Sequence, residues 1–369
     1  MISLKKSYIW MNLPSHHQDD FFYKIAQKSK SGNFSVIYYG TVSQSRMDTG
    51  WQAKRIDDDF EIFFDPLKDK LDKISDWRYA IHVVPGYGSS FLRGLTKTFS
   101  INRALWIHWS EKATPGWRWW ASYPLKRAHA TRVNRHALGA LAIGATASDD
   151  FVRWGIKREK IAHLPYSISG VEWLAPDQDI VDFAAGRRVF LYVGSLYRGK
   201  GIDLLIDAFA QITKKSPEWC LVLVGNDRTS GQYARQANRL GIAERVLFRG
   251  VISSTDIGSA FSAADVLVLP SRYDGWGMVV NEAAAMGLPL VVSDAAGAAW
   301  HVVDHAVNGF RFTSGSVRAL HQAMSAYVDA PELLAPHGEA SKRIFAAQAS
   351  DVMAERFLSI LQTWQATRA

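Results

Sequence analysis

The most informative stretch of the chain is residues 264–283, which read ADVLVLPSRYDGWGMVVNEA. Its first part, Ala264 to Pro270, is an apolar run typical of a buried strand, and a helix is predicted from about Met278 to Met286. The loop between them contains Gly275 and Gly277, which let the backbone approach a ligand closely. A strand, a glycine-containing loop and a helix in this order predict one unit of a parallel α/β sheet.

The same stretch has the features of an anion site. The N–H groups of Met278 and Val279 open the helix, where the helix dipole favours a phosphate. Glu282 lies one turn further on and suits ribose hydroxyls, which donate hydrogen bonds, better than it suits phosphate. Asp274 precedes the glycines and would face whatever lies beyond the phosphates. The alternative is an ordinary strand–loop–helix with a surface acid at each end.

A second loop points to the same ligand chemistry. Residues 189–193 form a strand-like run that leads into GSLYRGKG at 194–201, before a helix that begins at about Ile202. Arg198 and Lys200 in this loop can clamp a diphosphate. The spacing does not fit a Walker A loop, and no G-x-G-x-x-G follows a strand at the start of either half.

Together these residues resemble the retaining GT-B glycosyltransferases of family 4, the glycosyl transferases group 1. Residues 194–201 are similar to the family's G-R-L-x-x-x-K-G element, and Asp274 to Glu282 is similar to its E-x7-E motif. The similarity runs from Arg188 to Phe312 almost continuously, whereas in the N-terminal half it is only topological.

The resemblance implies a role for each matching residue. Lys200 and the backbone of Met278 and Val279 would contact the donor diphosphate, and Glu282 would bind the ribose. Gly250 and Val251 would lie beside the base, and Asp274 would contact the donor sugar. The residues expected to bind the donor are Gly194, Ser195, Gly225, Gly250, Val251, Gly275, Trp276, Gly277, Met278, Val279 and Glu282, and those expected in catalysis are His108, Arg198, Lys200 and Asp274.

Two positions depart from the family pattern. The family usually has Arg where this chain has Ser195, and Arg198 is the candidate to supply the missing cation. The first acid of the motif is usually Glu, and here it is Asp274. A side chain shorter by one methylene changes the geometry on which catalysis by positioning depends.

The alternation of strand-like and helix-like runs in both halves predicts the α/β GT-B architecture, with two facing Rossmann-like domains and a central cleft. Residues 1–168 are expected to bind the acceptor and residues 187–349 the nucleotide sugar. The polar segment Ser167 to Arg187 is predicted to be a linker, and a helix at about 350–369 to pack back on the first domain.

The N-terminal half is the basic one, because residues 1–170 carry 25 Lys and Arg but only 15 Asp and Glu. Its segment 117–135 mixes tryptophans with cations, which suits an anionic membrane surface or a packed helix with basic ends. A nucleic-acid partner is not expected, because no RNA or DNA motif is present. His16 and His17 are either polar cleft residues or ordinary loop residues.

Three further features have competing interpretations. His108, in the strand from Ala104 to Trp109, either contacts the donor sugar or acceptor or packs between tryptophans. The acidic run at 57–59 suggests a metal site, but such a run is more often a solvated turn, so no metal is expected. Cys220, the single cysteine, is expected to be a small core residue.

The sequence therefore predicts retaining transfer from a UDP- or GDP-sugar to a sugar or lipid-linked acceptor, in bacterial surface polysaccharide or glycolipid synthesis. No cofactor is expected besides the donor. The alternatives are a nucleotide-sugar epimerase or hydrolase, and a non-catalytic module that binds membrane or nucleic acid. With no secretory signal and no apolar stretch long enough to span a bilayer, the expected location is cytoplasmic, with peripheral contact to the inner face of the cell membrane.

Overall fold

The computed structural model describes residues 4–30, 32–40, 59–168 and 170–367, which form two compact units. Unit 1 contains the described residues up to 168 together with 348–367, and unit 2 contains residues 170–347. Each unit has one sheet whose strand pairs are parallel, with helices between successive strands. The predicted α/β fold class is confirmed.

Unit 1 has a seven-stranded sheet with the order β3-β2-β1-β4-β5-β6-β7. Its strands are β1 Ser7–Met11, β2 Phe34–Tyr38, β3 Glu61–Phe63, β4 Ile81–Pro85, β5 Leu105–Ser110, β6 Gly139–Ala142 and β7 Ile161–His163. The α-helices of unit 1 that precede unit 2 in the sequence are α1 His16–Lys28, α2 Ser90–Ile101, α3 Trp117–Ala121, α4 Tyr123–His136 and α5 Ala145–Trp154.

Unit 2 has a six-stranded sheet with the order β10-β9-β8-β11-β12-β13. Its strands are β8 Arg188–Val193, β9 Trp219–Val224, β10 Val246–Gly250, β11 Val266–Leu269, β12 Leu290–Ser293 and β13 Gly309–Phe312. Its helices are α6 Gln178–Ala184, α7 Ile202–Thr213, α8 Gln232–Arg239, α9 Ile257–Ser262, α10 Val279–Ala285, α11 Val317–Asp329 and α12 Leu334–Ala346. The last helix of the chain, α13 Ser350–Ala366, belongs to unit 1.

The central strands are covered on both faces, which explains why their sequences are continuous apolar runs. All six residues of β9 are buried, and Cys220 among them has its pKa raised to about 11 by burial. This is the environment of a core residue rather than of a reactive thiol. Helix α13 packs on α1, where Lys28 forms ion pairs with Asp351 and Glu355 and the Phe21 and Phe357 rings lie 6.1 Å apart.

The structure differs from the sequence prediction at three elements. The short strands β3 and β13 were not predicted, and the predicted linker contains helix α6. Asp177 caps α6 by accepting a hydrogen bond from the N–H of Ile180, and Arg249 forms a bidentate ion pair with the same carboxylate. None of the described helices is long and apolar enough to cross a bilayer.

Candidate functional site

The predicted donor-binding residues gather at the carboxyl-terminal edge of the unit 2 sheet. The loops that follow β8 and β9 lie side by side, because the N–H of Leu196 donates to the carbonyl of Asn226 at 2.8 Å. The N–H of Gly225 donates to the carbonyl of Gly250 at 2.8 Å, which brings in the end of β10. Gly250 and Val251 are both exposed there. Open α/β sheets bind ligands at this edge.

Glycine is required where these loops touch each other. Gly201 has a φ of 72°, and a Cβ at this position would lie 2.0 Å from the carbonyl oxygen of Pro270. A Cβ on Gly225, whose φ is 140°, would lie 2.0 Å from the carbonyl oxygen of Gly194. Any side chain would therefore push the loops apart.

Lys200 and Asp274 are joined directly, which their separate roles in the sequence prediction did not anticipate. Lys200 Nζ lies 2.5 Å from Asp274 Oδ2, and the two side chains are only 22% and 14% exposed. Next to them, Tyr192 donates a hydrogen bond to the carbonyl of Ser195 at 3.0 Å. Burial and, after it, the charge of Asp274 hold the pKa of Tyr192 well above its ordinary value. The two expected catalytic charges thus neutralise each other.

Arg272 holds the cationic loop in place, and sequence reasoning missed it. Its guanidinium forms a bidentate ion pair with Asp203, at 2.6 and 2.7 Å, and also donates to the carbonyl of Arg198 at 2.7 Å. Hydrogen bonding to Asp203 raises the pKa of Arg272. Its backbone N–H donates to Gly199 at 2.9 Å. The only sequence signal was an acid in the first turn of α7 and a cation just after β11.

Arg198 differs from Lys200 in having its charge available. Its side chain is exposed, and its guanidinium makes no ion pair or hydrogen bond with any described part of the chain. The loop at 194–201 therefore carries two cations: Lys200, whose charge is neutralised by Asp274, and Arg198, whose charge is available to an incoming anion. The assignment of Arg198 as a substitute for the family's usual arginine stays a prediction.

Met278 and Val279 open helix α10 as predicted from the sequence, and Gly287, with a φ of 78°, follows its end. Their N–H groups have no backbone acceptor within the described residues, whereas the N–H of Val280 already bonds to the carbonyl of Gly277. Orphan N–H groups at the start of a helix are satisfied by capping groups, water or ligands.

Trp276 was expected from the sequence to bind the donor. Its side chain is buried, its Nε1 donates to Asn281 Oδ1 at 2.8 Å, and its ring stacks on His301. The carbonyl of Trp276 accepts from the N–H of Ala298 at 2.9 Å, while a Cβ on Gly297 would lie 2.3 Å from the carbonyl oxygen of Gly275. The indole therefore supports the loop that contains Gly275 and Gly277, and a role of Trp276 in donor binding stays a prediction.

Glu282 is partly buried on α10, and burial raises its pKa to about 7. A carboxyl group with a raised pKa opposes folding at high pH. The unfolded chain loses this proton near pH 4.5 and the folded chain near pH 7, so the free energy of unfolding falls as the pH rises through that window. A residue that destabilises its own domain is a candidate functional residue.

We therefore expect Glu282→Gln to stabilise unit 2 at pH 8 by about 2 kcal/mol, because it removes the cost of the buried charge. The melting temperature should rise by several degrees at pH 8, and the difference from wild type should vanish near pH 4.5. Thermal unfolding followed by circular dichroism across this range measures both. A constant difference at all pH values would contradict the assigned cause.

His108 was expected from the sequence to take part in catalysis or to pack between tryptophans. It lies inside unit 1, fully buried, with its ring packed edge-on against Phe151 and Trp154. Burial and, after it, the charge of His129 lower its pKa well below the ordinary value. This environment favours the packing alternative, and the catalytic role of His108 stays a prediction. His16 and His17 begin α1.

No group of three or more metal-ligating side chains exists among the described residues. Of the acidic run at 57–59, Asp57 and Asp58 lie outside the described residues, and Asp59 is exposed. The predicted absence of a metal stays a prediction.

Comparison with known proteins shows the fold and a similarity to one family. The chain resembles the crystal structure of Anabaena HepE in complex with UDP, with a TM-score of 0.75, 19% sequence identity and coverage of 97% of this chain and 100% of that one. This likeness confirms the GT-B fold. Residues 176–344 match the model of the family described as glycosyl transferases group 1. This match covers less than half of the chain and agrees with the resemblance of the motifs.

Curated relatives match about two fifths of the chain. Mannosylfructose-phosphate synthase of Agrobacterium fabrum is 37% identical over 154 residues, which are 38% of this chain and 34% of that protein. D-inositol 3-phosphate glycosyltransferase 2 of Catenulispora acidiphila is 33% identical over 166 residues, which are 41% of this chain and 37% of that protein. The chain thus matches little more than a third of the length of these relatives.

Proposed function

We propose that the chain is a glycosyltransferase that moves a sugar from a nucleoside-diphosphate sugar to an acceptor hydroxyl. The observation that carries this proposal is the arrangement at the edge of the unit 2 sheet. Arg198, Lys200 and the open N–H groups of Met278 and Val279 provide positive potential for a diphosphate, in the same unit as the carboxyl of Glu282. HepE, a protein of the same fold, binds UDP.

The proposed reaction balances without a strong protein base. The bond between the anomeric carbon and the diphosphate oxygen breaks, and a bond between that carbon and the acceptor oxygen forms. The acceptor proton passes to an oxygen of the donor phosphate. Negative charge develops on the leaving diphosphate, and Lys200, Arg198 and the start of α10 stabilise it. No metal is required in this scheme, because these groups supply the positive charge.

The proposal has four finer parts: retention of anomeric configuration, a UDP- or GDP-sugar donor, a sugar or lipid-linked acceptor, and a place in bacterial surface polysaccharide or glycolipid synthesis. They rest on the family resemblance of the motifs at 194–201 and 274–282. Unit 1 is proposed to hold the acceptor, and residues 187–349 the donor.

A transfer assay tests the proposal. Each nucleotide sugar is incubated with and without p-nitrophenyl glycosides as acceptors, and products are separated by mass and examined by proton NMR for the anomeric configuration. The proposal requires a new glycosidic product that retains the donor configuration. Sugar release or isomerisation that no acceptor influences would favour the hydrolase or epimerase alternative.

We expect Asp274→Asn to bind a nucleoside diphosphate roughly threefold to tenfold more tightly than wild type, because Lys200 no longer has a charged partner to leave. The same variant should transfer sugar at least roughly tenfold more slowly, because the donor sugar loses a positioning contact. Calorimetric titration and initial rates give the two values. Asp329→Asn, an exposed change on α11, is the control. Weaker binding by Asp274→Asn would contradict the competition for Lys200.

We also propose that unit 1 contacts an anionic lipid surface, the inner face of the cell membrane, through helix α3 and the start of α4. Trp117, Trp120 and Leu125 are 74%, 71% and 51% exposed. Residues 112–136 contain six Lys and Arg and no Asp or Glu. Exposed tryptophans amid basic charge suit the interface of an anionic bilayer.

Trp119 fixes this surface to the core. Its Nε1 donates to Asp150 at 2.8 Å, and the buried Lys126 donates to its carbonyl at 2.9 Å while lying 4.4 Å from its ring centre. The side chains of Trp117 and Trp120 are thus presented by an anchored segment, so little ordering entropy remains to be lost on binding.

Trp117→Ser with Trp120→Ser should lower binding to vesicles of phosphatidylcholine and phosphatidylglycerol by roughly tenfold or more, since interfacial aromatic side chains contribute strongly to such binding. Co-sedimentation measures this, and pure phosphatidylcholine vesicles should bind little wild-type protein. Tyr79→Ser, which removes another exposed aromatic side chain of unit 1, is the control. Unchanged binding by the double variant, or wild-type binding that ignores lipid charge, would refute the proposal.

A further inference from the structure

Three side chains in unit 1 form a connected chain that the proposed reaction does not use. Ser110 Oγ lies 2.9 Å from His108 Nε2, and His108 Nδ1 lies 3.1 Å from His129 Nε2. The two histidines are 0% and 2% exposed, whereas Ser110 is the last residue of β5 and is partly exposed. This series of hydrogen-bonded side chains therefore leads from the core of unit 1 to the edge of its sheet.

The buried end of this hydrogen-bonded series, His129, determines which ring nitrogen of each histidine carries the hydrogen. His129 Nδ1 is buried and has no hydrogen-bond partner within the described part of the protein. A buried N–H without an acceptor is rarer in proteins than a buried acceptor without a donor. His129 therefore carries its hydrogen on Nε2 and donates it to His108 Nδ1. With Nδ1 occupied as an acceptor, His108 carries its own hydrogen on Nε2 and donates it to Ser110 Oγ.

Both rings are neutral at ordinary pH, which the assignment requires. Burial lowers the pKa of His129 to about 3, and burial with the neighbouring His129 lowers the pKa of His108. Arg132 also disfavours a second proton on His129. Each ring therefore holds one N–H hydrogen, and the direction of the hydrogen bonds from His129 through His108 to Ser110 does not change between pH 6 and pH 9.

The consequence falls on the hydroxyl of Ser110. Its oxygen accepts from His108, so its own hydrogen points elsewhere, and it has no other hydrogen-bond partner among the described residues. Ser110 pairs in register with Ala142 of β6, and its carbonyl accepts from the N–H of Ile143. It thus stands at the carboxyl-terminal edge of a doubly wound parallel sheet, where such sheets bind ligands.

We infer that Ser110 is a substrate-binding residue whose hydroxyl donates a hydrogen bond to an oxygen of the acceptor sugar, and that His108 and His129 are positioning residues that fix the direction of this bond. The inference rests on the proposed glycosyl transfer and names the contact that unit 1 makes to the acceptor. A neutral donor of fixed direction suits a sugar hydroxyl, which accepts a hydrogen bond without carrying charge.

The tautomers can be measured without any activity. Long-range nitrogen–proton NMR of the labelled, full-length protein distinguishes a hydrogen on Nδ1 from one on Nε2. Both His108 and His129 should show the Nε2–H form throughout pH 6 to 9. A hydrogen on Nδ1 of either ring would reverse the chain, make Ser110 the donor to His108 and overturn the inference.

Kinetics test the contact itself. Ser110→Ala should raise KM for a p-nitrophenyl glycoside acceptor roughly threefold to tenfold, the usual range for one lost hydrogen bond, with a smaller change in kcat. Ser110→Thr, which keeps the hydroxyl, should restore most of the effect. Ser100→Ala is the matched control, because among the described residues the Ser100 hydroxyl bonds only to Thr96 and Trp106, both within unit 1.

Two results separate this inference from the proposed function. Calorimetric titration should show that Ser110→Ala binds the nucleoside diphosphate with wild-type affinity. Weaker binding of the nucleotide by this variant would overturn the acceptor assignment while leaving glycosyl transfer in place. An acceptor KM within a factor of two of wild type, or a loss that Ser110→Thr does not rescue, would also overturn it. Wild-type protein without transfer activity would instead contradict the proposed function.

Discussion

Lys200→Ala should lower the rate of sugar transfer by roughly 10²-fold or more, which is the scale seen when one preorganised group that stabilises developing charge is removed. Lys200 is already placed in the loop that Arg272 holds, through the hydrogen bonds of Arg272 to Arg198 and Gly199. The loop therefore needs little rearrangement, while the ammonium of Lys200 exchanges Asp274 for the leaving diphosphate. Initial rates at saturating donor measure the effect.

Removing Lys200 also leaves Asp274 without its partner, which could slow the reaction for an unrelated reason. The double variant Lys200→Ala with Asp274→Asn separates the two causes, because it removes both charges. Lys214→Ala is the matched control: this exposed lysine follows α7, the helix that begins directly after the Lys200 loop. A Lys200→Ala rate within a factor of two of wild type would exclude Lys200 from the mechanism.

Glu282→Ala should weaken binding of the nucleoside diphosphate by roughly 10²-fold at pH 8, where the carboxylate is ionised, because hydrogen bonds to a charged group each contribute about 1.5–3 kcal/mol. Calorimetric titration gives the affinity. Below pH 6 the wild-type affinity should fall, since Glu282, with a pKa of about 7, then carries a proton.

The ribose can be tested by changing the ligand as well as the protein. Wild type should bind the 2′-deoxynucleotide more weakly than the ribonucleotide, whereas Glu282→Ala should barely distinguish them. Non-additive losses of this kind identify two groups in contact. If the variant discriminates between the two nucleotides as strongly as wild type does, Glu282 does not bind the ribose.

The fold was predictable from sequence because buried parallel strands are continuous apolar runs. The runs at β8, β9 and β11 have no polar interruption, and β8 and β9 are followed directly by Gly194 and Gly225, so the sheet of unit 2 could be recognised. Strand β3 has only three residues, Glu61–Phe63, none of them buried, and therefore lacks that signal. Helix α6 was missed because seven residues within a polar segment give too short a periodicity.

The site was predictable only as far as local motifs reach. Positions at strand ends, such as Lys200 and Asp274, follow from the sheet topology, but their direct pairing depends on two loops 74 residues apart. His108 shows how sensitive such reasoning is to strand ends. The strand was predicted to end at Trp109 but continues to Ser110, so Ser110 reaches the edge while His108 stays in the core.

Unit 2 is proposed to bind the nucleoside diphosphate of a sugar donor, and calorimetric titration of the full chain with UDP, GDP and ADP measures this binding. We expect one of these nucleotides to bind in preference to the others, Glu282→Ala to abolish most of that binding, and Lys214→Ala to leave it unchanged. Failure of all three to bind, or binding that survives in Glu282→Ala with wild-type affinity, would contradict it.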